Sequence, residues 1–274
     1  MLKFIFNNST EIFYHKAGNG PPVILLHGFG EDSSIWDKCA EVLEKKCLLI
    51  SPDLPGSGRS GIYIQEKKEV SIEDYAEIIY ALLINEKIDK CVMLGHSMGG
   101  YITLAFAKKY PERLIGFGLI NSTAFADTQL QQERRLKSIR MIERYGPHEF
   151  LRQILPPLFA DKFRESNREL IAKYVEKGKT FTAATLVQYY RAMMQRADNT
   201  VVLQKSNVPV LFVCGPEDTA APLEDLLKQI HMPDISYIHI LENTGHKSMF
   251  EAPEKLSNFI LDFLSGIEKI NAPE

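Results

Sequence analysis

The sequence predicts an α/β fold: a parallel sheet covered by helices on both faces, with one all-helical segment inserted late in the chain. Three observations predict it. Short apolar runs alternate with stretches of helical periodicity. Several of those runs are apolar at every position, as strands buried on both sides are. The alternation lapses once, from about Ala124 to Asn207.

Taken in order, Glu11–Lys16 and Pro22–Leu26 read as strands parted by a Gly18-Asn19-Gly20 turn. Ser34–Glu44 reads as a helix and Cys47–Ser51 as a strand stopped by Pro52. Ser71–Asn85 is a strong helix, because Ser71 can cap it, Asp74 follows three residues later, and Ile72, Tyr75, Ala76, Ile79, Leu82 and Leu83 recur on one face. Strand Cys91–Leu94, helix Met98–Lys109 and strand Leu114–Ile120 come next. The inserted segment reads as helices Thr128–Tyr145, Pro147–Leu155, Asn167–Lys177 and Thr180–Ala197, with Glu133–Arg144 as a solvated charged face. Alternation resumes with strand Val208–Val213, helix Pro222–Gln229, strand Ile235–Leu241 and helix Pro253–Leu264.

The chain has 274 residues, 45% hydrophobic and 24% charged, an ordinary globular composition. A formal charge of −3 gives no purchase on a phosphate backbone, so a nucleic-acid binder is disfavoured. The apolar runs fall far short of the ~20 residues a membrane span needs. The N-terminus turns polar too early for a signal-peptide core, so the reading is cytoplasmic. Cys39, Cys47, Cys91 and Cys214 form no CxxC pair and read as buried reduced thiols. No metal and no organic cofactor are expected. The expected partner is a small-molecule substrate, taken by a monomer or homodimer.

The sharpest motif is Gly95-His96-Ser97-Met98-Gly99, which ends a strand and opens a helix. A serine on such a turn is held strained, with its oxygen exposed above the sheet, and flanking glycines let the chain double back. The helix that follows aims its positive end at the site. A nucleophilic serine needs a base and a donor pocket. Among seven histidines, His246 lies beyond the carboxyl end of a strand, where ligands gather in parallel sheets. Asp218 follows the preceding strand and would hold the His246 tautomer. Glu217 competes for that role, whereas the end of Leu114–Ile120 offers Asn121 and Ser122 but no carboxylate. The turn His27-Gly28-Phe29-Gly30 would present the Phe29 amide, with that of Met98, to a developing oxyanion. Gly56–Gly61 fits GxGxxG, but Pro52 and Pro55 precede it and no helix opens after it, so a dinucleotide loop is rejected.

Ser97, Asp218 and His246 in that chain order, with HGFG upstream, resemble an enzyme of the α/β-hydrolase fold. The likeness covers Pro21–Asn121 and Val208–Leu264 and includes the turn Asp53–Ser60. It implies an eight-stranded, mostly parallel sheet with a helical cap after the sixth strand, a core of residues 1–123 and 208–274 and a cap of 124–207. It also implies Ser97 as nucleophile, His246 as base, Asp218 as its orienter, and Phe29 and Met98 amides as oxyanion donors. Trp36, Phe125, Phe159, Tyr190 and Met194 are candidates to line the pocket. The expected reaction is hydrolysis of carboxylic esters of small or medium hydrophobic substrates through an acyl-enzyme. The same triad also serves C–C bond hydrolases, lactonases, thioesterases, cofactor-free haloperoxidases or perhydrolases, proline-type peptidases and a menaquinone-pathway lyase. A weakly catalytic small-ligand receptor of the fold is the reading from another class.

Overall fold

The computed structural model describes residues 1–65 and 68–271. Its strands are β1 (Leu2–Phe6), β2 (Thr10–Ala17), β3 (Pro22–Leu26), β4 (Leu48–Pro52), β5 (Cys91–His96), β6 (Leu114–Ile120), β7 (Val210–Cys214) and β8 (Ser236–Ile240). They form one sheet in the order β1-β2-β4-β3-β5-β6-β7-β8. β3 through β8 pair in parallel, while β2 is antiparallel to both β1 and β4. The middle strands are the ones read as apolar throughout, and every residue of β5 and β7 is buried. At the far edge, β8 alternates half-buried and exposed positions.

The helices are α1 (Asp37–Leu43), α2 (Ile72–Asn85), α3 (Met98–Lys109), α4 (Gln129–Tyr145), α5 (Pro147–Ile154), α6 (Asp161–Ser166), α7 (Arg168–Lys177), α8 (Ala183–Gln195), α9 (Thr200–Gln204), α10 (Leu223–Leu227), α11 (Ser248–Glu251) and α12 (Pro253–Asn271). α1 packs on α12, and α2 packs on α3. The Ser71 hydroxyl accepts from the Asp74 amide and the Asp74 carboxylate accepts from the Ser71 amide, the reciprocal cap that the sequence suggested for α2. The segment between β6 and β7 contains helices only, among them the short α6 and α9, which the periodicity did not resolve.

Three local expectations are corrected. β1 was not anticipated as a strand, because only Phe4 of its five residues is buried and its apolar pattern is weak. The helix expected over Ser34–Glu44 splits into a 3-10 turn, Ser33–Trp36, and α1. Asp32 caps that turn by accepting from the Ser34 amide at 2.9 Å. The last helix runs to Asn271, past the expected end at Leu264.

Candidate active site

Parallel pairing brings the ends of β3, β5, β6, β7 and β8 to one edge of the sheet, and each delivers a residue there. Ser97 follows β5 at φ 51° and ψ −115°, a backbone conformation that side chains other than glycine rarely adopt. The surroundings enforce it. The Ser97 amide donates to the Ile120 carbonyl at 3.1 Å, and its carbonyl accepts from the Gly100 amide at 2.9 Å. The Ser122 hydroxyl donates to that same carbonyl at 2.7 Å. A Cβ on Gly95 would sit 2.2 Å from the Gly99 carbonyl carbon, and one on Gly99 would sit 2.5 Å from the Leu26 carbonyl oxygen. Only glycine lets α3 leave β5 this tightly while touching β3.

His246 and Asp218 meet across the ends of β7 and β8. The His246 Nδ1 lies 2.9 Å and 2.8 Å from the two Asp218 carboxylate oxygens. Asp218 Oδ1 also accepts from the Ala220 and Ala221 amides, each at 2.8 Å, and Oδ2 from Asn121 Nδ2 at 2.9 Å. Burial pushes the Asp218 carboxyl up, but the His246 ring, the Ala221 amide and the Asn121 amide outweigh it and hold the group below the usual carboxylate range. His246 is 3% exposed, and its amide donates to the Leu158 carbonyl at 2.7 Å, so its backbone is tied to the helical segment.

The turn after β3 lies against the serine: a Cβ on Gly28 would be 3.1 Å from Ser97 Cβ. Gly30, at φ 66°, turns the chain back. Neither the Phe29 amide nor the Met98 amide is engaged in a hydrogen bond among the described residues. His27 anchors the turn from behind, its Nε2 accepting from the Leu54 amide at 2.9 Å and lying 2.8 Å from the Ser57 hydroxyl.

Ser97 and His246 share a cavity of about 230 Å³, lined also by Phe29, Tyr101, Arg135, Tyr190 and Lys247. The Ser97 hydroxyl makes no hydrogen bond among the described residues. Among the described residues no group of three His, Cys, Asp or Glu side chains is placed to hold a metal ion.

A family model described as alpha/beta hydrolase fold matches residues 21–253. The chain belongs to this family. A 2-hydroxy-6-oxo-6-phenylhexa-2,4-dienoate hydrolase from Comamonas testosteroni is 25% identical over 92% of this chain and 91% of its own length. Among solved structures, a thermophilic esterase from Thermogutta terrifontis superposes with a TM-score of 0.90 at 27% identity, covering 97% of this chain and 98% of that one. An enol-lactonase from Burkholderia xenovorans, at 23% identity and a TM-score of 0.86 over 94% of this chain and 98% of its own, shares the fold.

Of the five pocket candidates in this hydrolase, Tyr190 reaches the cavity wall, stacked 4.2 Å from the Phe29 ring. The other four lie away from it. Trp36 is buried in the core. Phe125 offers its carbonyl to Arg196 at 3.0 Å. Phe159 stacks on Phe163 at 5.6 Å, while its neighbour Leu158 faces the cavity. Met194 points to a separate surface depression, and Met193, one residue back on α8, lines the site. One residue is about 100° of helical turn, which sets Met194 and Met193 on different sides of α8. The charged face expected over Glu133–Arg144 is likewise incomplete, since Arg135 turns inward.

Sequence reading missed two supports of the site. Asn121, at the end of β6, donates to Asp218 and, at 3.1 Å, to the Gly245 carbonyl, and accepts from Ser248 at 2.6 Å. The second is buried Glu31. It accepts from the Gly28 amide at 2.6 Å and from Tyr174 at 3.1 Å, lies 2.9 Å from His96 Nδ1, and pairs with Lys247. His96 Nε2 in turn lies 2.8 Å from the His246 carbonyl. Burial pushes the Glu31 carboxyl up, but His96 and Lys247 more than offset it and hold it well below the ordinary range. An acid directly after HGFG and a lysine directly after the histidine were the available signals.

Proposed function

We propose that this hydrolase cleaves carboxylic esters through an acyl-enzyme on Ser97. The observation that carries the reading is the His246–Asp218 pair, with Nδ1 held at 2.8 and 2.9 Å and the ring facing the cavity that Ser97 also lines. Asp218, ionised, fixes the tautomer with the proton on Nδ1, which leaves Nε2 as the base. Ser97 Oγ attacks the ester carbon as Nε2 takes its proton. The oxyanion is met by the Phe29 and Met98 amides. The alcohol leaves with the proton from His246. Water then attacks the acyl-enzyme, again deprotonated by His246, and releases the acid and the serine hydroxyl. In this scheme residues 124–207 act as a cap over a core of 1–123 and 208–274, and supply much of the cavity wall.

C–C bond hydrolysis is the second reading, favoured by the activities of relatives such as the Comamonas enzyme. A vinylogous diketone assayed beside p-nitrophenyl butyrate separates the two. Ser97→Ala should abolish turnover of whichever substrate is accepted while keeping the wild-type melting temperature, since an unbonded hydroxyl contributes little to stability. A fluorophosphonate should label the wild type at Ser97 alone. Unchanged turnover in Ser97→Ala would falsify the assignment.

A further inference from the structure

The charges around the cavity match in number, three acids against Arg135, Arg196 and Lys247, but not in position. The charged side chains on its wall, apart from His246, are Arg135 and Lys247, both cations. The acids behind the wall are each committed elsewhere: Asp218 to His246, Glu31 to Lys247, and Asp127 to two guanidiniums. Asp127 Oδ2 accepts from Arg135 Nε at 2.6 Å and Oδ1 from Arg135 Nη2 at 3.1 Å, while Oδ1 also accepts from Arg196 Nη1 at 2.7 Å. Two guanidiniums facing one carboxylate leave one positive charge over.

The two arginines are not equivalent. Arg196 is buried, with its side chain 3% exposed. It donates to the carbonyls of Met193 at 2.8 Å and Phe125 at 3.0 Å, and its guanidinium lies 3.9 Å from the Tyr101 ring centre. It suffices to neutralise Asp127. Arg135 keeps 19% of its side chain exposed, and among the described residues its Nη1 has only the Met193 sulfur, at 3.4 Å, a weak acceptor. Its spare donors border a cavity whose remaining wall is largely apolar, including Ile154, Leu155, Leu158 and Met193. A guanidinium that must share its one carboxylate with a second arginine in such surroundings is further stabilised when another anion pairs with it.

We propose that Arg135 is a substrate-binding residue for a carboxylate, so that the preferred substrate is an anionic ester: an apolar chain bearing the scissile ester and, separately, a free carboxylate. The planar fork of an arginine matches a carboxylate's two oxygens. The proposal rests on the ester reading above and narrows its substrate class. Its test therefore includes a measurement that needs no turnover.

On Ser97→Ala, monomethyl adipate should bind more tightly than methyl hexanoate by titration calorimetry, and adding Arg135→Gln should remove that preference. With active enzyme, matched neutral and carboxylate-bearing esters should be compared, the charge placed on the acyl part in one pair and on the alcohol part in another. The anionic-to-neutral ratio of kcat/KM should exceed one for at least one pair. It should fall tenfold or more in Arg135→Gln and be partly restored in Arg135→Lys. A merely structural Arg135 would lower both rates together. Wild type without any preference for the anion, in binding and in rate, overturns the proposal, and so does a ratio that Arg135→Gln leaves in place. If no ester is hydrolysed but the binding preference holds, the ester reading fails and the carboxylate site stands.

Discussion

Asp218 shows how its neighbours make one carboxylate fit for a single task. Its four hydrogen-bonding partners, two backbone amides, Asn121 and His246, each stabilise the ionised form against burial. Glu217, one residue earlier, is exposed, and among the described residues its carboxylate accepts only from the Asp161 amide, at 3.2 Å. Asp218→Asn should therefore lower kcat by about 10³ to 10⁴, the scale for losing the tautomer-holding acid of a triad, whereas Glu217→Gln should change it little. Steady-state kinetics on the two variants decide, and the reverse ranking would move the acid to position 217. Asp218 stood out in the sequence as a carboxylate just past a strand, and partly by elimination, since the end of β6 offers none. The part played by Asn121 was not legible, because its partners, Asp218 and Gly245, lie far along the chain and only the fold assembles them.

At the scale of elements, the decisive junction is where α3 springs from β5 against β3. The sequence reading placed α3 and β6 at their observed limits, because a glycine-bounded serine turn and an all-apolar run are strong local signals. Gly99 is where α3 meets β3: an added Cβ would lie 2.5 Å from the Leu26 carbonyl oxygen and 2.7 Å from that of His27. Backbone cannot step aside as a flexible side chain does. Gly99→Ala should cost about 1–3 kcal/mol, seen in urea titration, and should lower activity by displacing the turn after β3. A variant as stable and active as wild type would mean that the approach is looser. Which face of α4 meets the cavity was not legible, since a helix with polar and apolar residues on several sides acquires its phase only from what it packs against.

Across the whole molecule, Glu31 ties together parts that no local pattern connects. It reaches the turn after β3 through Gly28, the end of β5 through His96, α7 through Tyr174, and the loop before α11 through Lys247. Its carboxyl is held below the ordinary value of 4.5, so it contributes stability that is complete above that value and is lost as pH falls through the depressed one. Glu31→Gln leaves Lys247 buried without its countercharge and should cost about 3–5 kcal/mol near neutrality. Because the variant has no such carboxylate to protonate, the gap between its melting curve and that of wild type should narrow below pH 4.5. A gap that stays constant down to pH 3 would show that packing, and not charge, accounts for the loss.

The two feet of the helical segment stand side by side. The Asn199 amide donates to the Ala124 carbonyl at 2.8 Å, and Arg196 clasps Asp127 at 2.7 Å just inside. Whatever the chain does between those feet, β6 and β7 are asked to span no new gap. The segment can thus lengthen or shorten between those feet, carrying Arg135 with it, provided it keeps the bonds from Leu158 to His246 and from Tyr174 to Glu31 that brace the strand ends.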